Sequence, residues 1–311
     1  MSTPYPEMLH TTLQLDDLIE PVYLTESCDK EVKWDVLRLD RVHPVVSGNK
    51  VFKLRKWMKH ATEDGYEGIL TYGGPYSNHI HATAYATKAA GLSSIGIIRG
   101  EKTTPLSPTL QDAERWGMQL IFTDRTSFRN HSRSPINEIS EGHPRFLPVP
   151  EGGYGPEGRQ GAETIHALIP RNAYDWILCA CGTGTMMAGL ITAAVAGQKV
   201  LGISVLKNNH DLETHIRSLL PEFQATSDIL TDHDHHYGGY AKADGALLSF
   251  MNHFHKHTGI PTDIVYTGKL MRATDDLIRK GYFQQGSRIL TIHSGGLQGN
   301  RSVKEGMLTF F

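Results

Sequence analysis

Lys50 carries the strongest chemical signal in this chain. It follows the turn Ser47-Gly48-Asn49, at the end of an apolar strand and the start of a helix-like run. A lysine held there by its backbone and partly desolvated is disfavoured as an ammonium, so its amine is free to act as a nucleophile. A Schiff base to a carbonyl cofactor requires such an amine. A second stretch, Gly73-Gly74-Pro75-Tyr76-Ser77-Asn78-His79, places a glycine-rich turn before a hydroxyl and an amide at an expected helix start. Backbone N–H groups and a hydroxyl there face an anionic group. The stretch is not G-x-S-x-G, and no acid–histidine pair is placed by sequence, which argues against a hydrolase nucleophile. As a bare structural feature, Ser77 reads as a helix N-cap.

A third stretch, Gly182-Thr183-Gly184-Thr185, follows a buried-type strand and opens a helix. Glycines allow close backbone approach, threonines add donors, and the helix start supplies partial positive charge. It lacks the lysine of a triphosphate loop and the spacing of a dinucleotide fingerprint, so a phosphate monoester suits it better. A tight strand-to-helix turn is the plain alternative. Tyr240 follows Gly238-Gly239, and Tyr266 follows Asp263-Ile264-Val265 at an expected strand end. Both tyrosines suit a pocket wall, and a core position is equally open for Tyr266. His233, His235 and His236, with Asp232 and Asp234, are spaced too closely in a loop for a closed tetrahedral metal site and read as a polar loop. A metalloprotein is the alternative there.

The elements that must position these residues alternate. Strands are expected at 32–39, 68–72, 94–98, 120–123, 146–149, 176–181, 200–205 and 288–293. Helices are expected at 51–61, 80–90, 108–116, 162–169, 186–196, 211–220, 246–257 and 274–280. Such alternation calls for parallel sheets with helices on both faces, an α/β fold. With 311 residues, two domains are expected, each an open, mostly parallel twisted sheet. The Pro- and Gly-rich run 148–161 marks the expected boundary: residues 50–148 form the smaller domain, and 1–49 with 149–311 the larger, cofactor-binding one.

The balance of 31 basic and 33 acidic residues gives a net charge of −2, with no nucleic-acid footprint and no basic membrane patch. Three cysteines, of which Cys179 and Cys181 alternate on one strand and are poorly placed to pair, suggest a reduced, cytoplasmic chain. Residues 176–197 are uncharged and as long as a membrane span, but a glycine turn interrupts them. Residues 1–18 have no long apolar core and do not read as a signal peptide.

Taken in order, Ser47-Gly48-Asn49-Lys50, Gly73-Gly74 with Ser77-Asn78, Gly182-Thr183-Gly184-Thr185 and His293-Ser294-Gly295-Gly296 resemble the pyridoxal-phosphate enzymes of the tryptophan-synthase-β fold, fold type II. More narrowly, the chain resembles the 1-aminocyclopropane-1-carboxylate deaminase and D-cysteine desulfhydrase family, from about Asp40 to Gly296. The resemblance implies pyridoxal 5'-phosphate in the cleft between the domains, a small amino acid as substrate, and a homodimer. Lys50 would hold the cofactor as a Schiff base and take the Cα proton, with Ser77 and Tyr266 completing the catalytic set. Asn78 would meet the cofactor's phenolic oxygen, Gly182 to Thr185 its phosphate, and Ser294 its pyridine nitrogen. A hydroxyl at that nitrogen leaves the ring neutral and the cofactor a milder electron sink. Ser77, Asn78, His79, Tyr240 and Thr267 would receive the substrate. The deaminases carry an acidic residue where this chain has Thr267, and leucine where it has Ser294. That pattern favours D-cysteine desulfhydrase-like α,β-elimination to pyruvate, ammonia and sulfide. Tyr76, where many relatives have glutamine, reshapes the pocket. The alternatives are 1-aminocyclopropane-1-carboxylate deamination to 2-oxobutanoate, another amino-acid lyase or racemase, or a non-catalytic binder of phosphorylated metabolites.

Overall fold

A computed structural model describes residues 18–24, 31–129, 135–224 and 226–311. The reading of the first 17 residues, and Cys28, lie outside the described residues. In chain order the first elements are β1 (Ile19–Pro21), β2 (Lys33–Arg38), α1 (Asn49–Glu63), β3 (Gly68–Gly73), α2 (Asn78–Ala89), β4 (Ser93–Arg99), α3 (Pro108–Arg115) and β5 (Gln119–Thr123). Then come α4 (Arg125–Arg129), α5 (Pro135–Glu141), β6 (Phe146–Val149), α6 (Pro156–Glu163), β7 (Trp176–Cys181), α7 (Thr185–Ala193) and β8 (Lys199–Ser204). The chain closes with α8 (Leu212–Leu219), β9 (Leu230–Asp232), α9 (Gly245–Thr258), α10 (Thr267–Arg279) and β10 (Arg288–His293).

Two sheets result, as the alternation predicts. One has the order β1-β2-β10-β7-β8-β9, and the other β5-β4-β3-β6. Every pairing is parallel except β1 with β2. Parallel strands covered on both faces need apolar side chains on both, which is why their runs are nearly continuous. On β7, Ile177, Cys179 and Cys181 join one core, while Leu178 and Ala180 join the other with Phe254, Leu270 and Met271. Helix α1 feeds Val51, Leu54 and Met58 into the first core, which also takes Ile69, Leu147 and Val149 of the smaller sheet. The helix that carries Lys50 in its first turn is therefore packed by both sheets.

Two local expectations fail, each for a tertiary reason. The helix expected at 162–169 starts six residues earlier, at Pro156, and gives way to a 3-10 turn over Thr164–Leu168. Its glycines, which read as loop, let backbones touch: a Cβ on Gly161 would lie 2.1 Å from Phe52 O, and one on Gly189 would lie 2.6 Å from Ala162 Cβ. Asp263-Ile264-Val265 is a turn rather than a strand, and α10 begins at Thr267, seven residues before the expected start at 274. The Asp263 carboxylate accepts from the backbone N–H groups of Val265, Tyr266 and Thr267 at 2.8, 3.0 and 2.8 Å. This satisfies the donors a helix start leaves open. The run 176–197 is β7, a turn and the nine-residue α7. Among the described residues no helix is long and apolar enough to cross a membrane.

Candidate active site

The carboxyl ends of the parallel strands converge, where open α/β sheets hold their ligands. Lys50 follows β2, Ser77 follows β3, Arg99 ends β4, Glu151 follows β6, Gly182 follows β7 and Ser294 follows β10. A cavity of roughly 480 Å³ opens among Lys50, Ser77, Asn78, His79, Tyr240 and Tyr266. A contiguous recess adds Lys53, Gly184, Thr185 and Ser294, and shares Lys50, Asn78 and Tyr266 with the first.

The Lys50 turn is pinned to the end of β10. Gly48 has φ +71°, and a Cβ there would fall 1.8 Å from Ser294 O. Asn49 N donates to Ser294 O at 3.2 Å, and Gly48 N to Leu39 O at 3.0 Å. Behind the turn, the Asp40 carboxylate is gripped by Arg38 and by His293 Nδ1 at 3.1 Å. Lys50, second in α1, is half-buried, and its Nζ donates to Asn49 Oδ1 at 3.1 Å. Burial lowers its ammonium to about 8, partly opposed by the charge of Asp263.

Lys53 is a site residue the sequence reading missed. One turn after Lys50 on the same face of α1, it is only 3% exposed and reaches the recess beside the Gly182 loop. Burial, and then the charge of Lys50, push its ammonium well below the ordinary lysine value. Its Nζ has no carboxylate or hydrogen-bond partner among the described residues. Its i+3 spacing from Lys50 was the available signal. The Gly182 loop opens α7 as expected: Gly184 has φ +78°, and the Thr183 and Thr185 hydroxyls lie 2.9 Å apart.

Ser77 caps α2, its Oγ accepting from His79 N at 3.2 Å and Ile80 N at 3.3 Å, which leaves its own proton for the cavity. Asn78 opens α2, and its Oδ1 accepts from Gln298 Nε2 at 2.6 Å. His79 is 2% exposed. Thr71 Oγ1 donates to Val149 O at 2.7 Å, so at 2.8 Å it accepts from His79 Nε2. That chain leaves His79 Nδ1 as an acceptor. Burial and the charges of Lys50 and Lys53 hold the imidazole neutral, well below its ordinary value.

Tyr240 and Tyr266 meet edge to face, with centroids 6.5 Å apart. Burial raises Tyr240 to about 12 and Tyr266 well above the usual phenol value, so both stay protonated donors. Lys269, fully buried in α10, donates to His236 O at 2.9 Å and to Gly239 O, which holds the loop that presents Tyr240. Thr267 stands apart from the other predicted residues: it lines neither the cavity nor the recess, and its hydroxyl is spent on Asp263 Oδ1 at 2.7 Å. His233 pairs with Glu213 at 2.6 Å and His235 with Asp232 at 2.8 Å. No group of three metal-ligating side chains occurs among the described residues. The Cys179 and Cys181 sulfurs are free and 4.0 Å apart.

The sequence pattern of the pyridoxal-phosphate-dependent enzymes matches residues 26–295. The chain belongs to that family. It is similar to a Pyrococcus horikoshii protein named provisionally as a 1-aminocyclopropane-1-carboxylate deaminase, 27% identical over 90% of each chain. It is also 28% identical to the bifunctional D-cysteine desulfhydrase/1-aminocyclopropane-1-carboxylate deaminase, mitochondrial, of Arabidopsis thaliana, over 82% of this chain and 70% of that one. In fold it matches the crystal structure of a homologue of 1-aminocyclopropane-1-carboxylate deaminase, with a TM-score of 0.80 and 24% identity over 98% of this chain and 95% of that one. The family's cofactor, pyridoxal 5'-phosphate, suits the residues present. A buried lysine and a helix start with two threonine hydroxyls make a cradle for a phosphate dianion. Beside it stands an amine with a lowered ammonium.

Proposed function

We propose that this pyridoxal-phosphate enzyme is a D-cysteine desulfhydrase-like lyase, in which D-cysteine and water give pyruvate, ammonia and hydrogen sulfide. The observation that carries the reading is the placing of Lys50 Nζ between two anion sites: the Lys53 and Gly182–Thr185 cradle, and the α2 start at Ser77. When bound, the cofactor withdraws electrons from the Cα of an amino acid joined to it, so that a Cα substituent leaves without its electrons. Lys53 and the Thr183 and Thr185 hydroxyls would hold the phosphate, Ser294 would meet the pyridine nitrogen, and Asn78 would donate to the phenolic oxygen. The α2 N–H groups and the Ser77 hydroxyl hold the substrate carboxylate. Lys50 Nζ would take the Cα proton. Protonated Tyr266 and Tyr240 line the same cavity, where the β-sulfur would depart. Support for sulfide over ring opening comes from the sequence resemblance: Thr267 stands where the deaminases carry an acidic residue, and Ser294, which lines the recess, where they carry leucine.

A panel of D- and L-amino acids, with pyruvate, 2-oxobutanoate and sulfide measured, tests the reading. Pyruvate and sulfide from D-cysteine are expected. Release of 2-oxobutanoate from 1-aminocyclopropane-1-carboxylate, with no sulfide from D-cysteine, sinks it in favour of the deaminase the relatives are named for.

Lys53→Met tests the cradle. A hydrogen bond to a charged group contributes about 1.5–3 kcal/mol, so cofactor affinity falls on the order of 10- to 100-fold. The cofactor-free protein melts no lower, because the substitution also removes a buried amine that has no partner there. Titration of the apoenzyme followed by absorbance reads the affinity, and unchanged affinity removes Lys53 from the cradle.

A further inference from the structure

Asn78 has one end of its amide already engaged. Its carbonyl oxygen is taken by Gln298 Nε2 at 2.6 Å, from a residue 220 positions along the chain. An amide so engaged has its NH₂ left to offer. That nitrogen lies against Gly296, where a Cβ would come within 2.3 Å of it, on the turn that carries Ser294. Gln298 belongs to a 3-10 turn, Leu297–Ser302, that is itself anchored on two sides. The buried Asn300 donates to Thr262 O at 2.9 Å and accepts from Ile264 N at 3.2 Å. Arg301 pairs with Asp112 of α3 at 2.5 Å. The turn thus joins the Asp263 loop to a helix of the smaller sheet, which holds the Gln298 backbone beside Asn78.

We infer that Gln298 is a positioning residue: it fixes the Asn78 amide with its NH₂ group toward the cofactor's phenolic oxygen. This rests on the reading of Asn78 as the partner of that oxygen. A donor at that point stabilises the phenolate over the phenol, and the phenolate form gives the visible absorption. Turned about, the amide would set a carbonyl oxygen against the phenolate. Pinning one rotamer removes that competing arrangement.

The experiment compares holoenzyme spectra and turnover for Gln298→Glu, Gln298→Met and Asn78→Ala, with melting temperatures read alongside. In Gln298→Glu the carboxylate only accepts, so it pairs with Asn78 Nδ2 and turns Oδ1 toward the cofactor. The visible band is expected to give way to near-ultraviolet absorption, with turnover down on the order of 10-fold. Gln298→Met, which neither donates nor accepts well, falls between wild type and Gln298→Glu. A purely structural role would instead lower both melting temperatures and leave the band in place. If Asn78→Ala leaves the spectrum unchanged, the Asn78 reading fails. If Asn78→Ala alters the spectrum and Gln298→Glu does not, the Gln298 inference alone is overturned. Should Gln298→Glu not fold, an unchanged band in Gln298→Met overturns it.

Discussion

Lys50→Ala is expected to fold, to hold pyridoxal 5'-phosphate through the phosphate cradle alone, and to turn over at least about 10⁴-fold more slowly than wild type, the upper range for losing a general base. Such a loss corresponds to about 5.5 kcal/mol of transition-state stabilisation. The substitution leaves Lys53 and the Gly182 loop in place but removes the amine that lies between them and Ser77. Borohydride should fix the cofactor to wild type and leave the variant unlabelled by mass spectrometry. Labelling of the variant at another lysine would move the assignment. The pH dependence has a defined sign. With Lys50 lowered to about 8, the neutral amine grows about tenfold from pH 7 to pH 9 and then levels off. Cofactor uptake by the apoenzyme should follow that curve. An ordinary lysine would keep climbing toward about pH 10.4, and uptake that still rises steeply beyond about pH 9 contradicts the lowered value. A non-catalytic binder of phosphorylated metabolites would show neither the fixation nor this profile.

Gly48→Ala should disable the same amine from behind. The added methyl meets Ser294 O at 1.8 Å and leaves a non-glycine residue at φ +71°. With ψ at −148° this is backbone that essentially only glycine adopts; forcing another residue into it costs about 1–3 kcal/mol, and overpacking about 1–3 kcal/mol. Gly65 supplies an internal control, since it has the same φ of +71° and a methyl placed on it would meet nothing within 4 Å. Gly65→Ala should therefore show the cost of a positive φ without a clash. The difference between the two denaturant midpoints reports the Gly48 backbone, at φ +71° and ψ −148°, together with its contact with the end of β10. Only Gly48→Ala should also lose the visible cofactor band. Equal midpoints would mean that the turn yields without strain and that its contact with Ser294 does not position Lys50.

Local chemistry and the period of the elements are written in consecutive residues. Lys50, the Ser77 helix start and the Gly182–Thr185 loop were legible because each lies where an apolar strand meets a helix, and such junctions are written in consecutive residues. The same holds for the α/β class and for membership of the pyridoxal-phosphate family, both carried by ordered short motifs. Whatever depends on distant partners was settled by packing. Glycines at 158 and 161 read as loop, yet they form a helix because α1 and α7 press their backbones against it. Asp263 read as strand, yet it caps α10 and influences Lys50, because a buried carboxylate takes whichever N–H groups surround it. Lys53 becomes a phosphate candidate, Thr267 withdraws behind Asp263, and Gln298 reaches Asn78 only once both sheets are packed on α1. Hydrogen bonds and charges act over a few ångströms of space, whatever the separation along the chain, so these assignments had no signature in neighbouring residues.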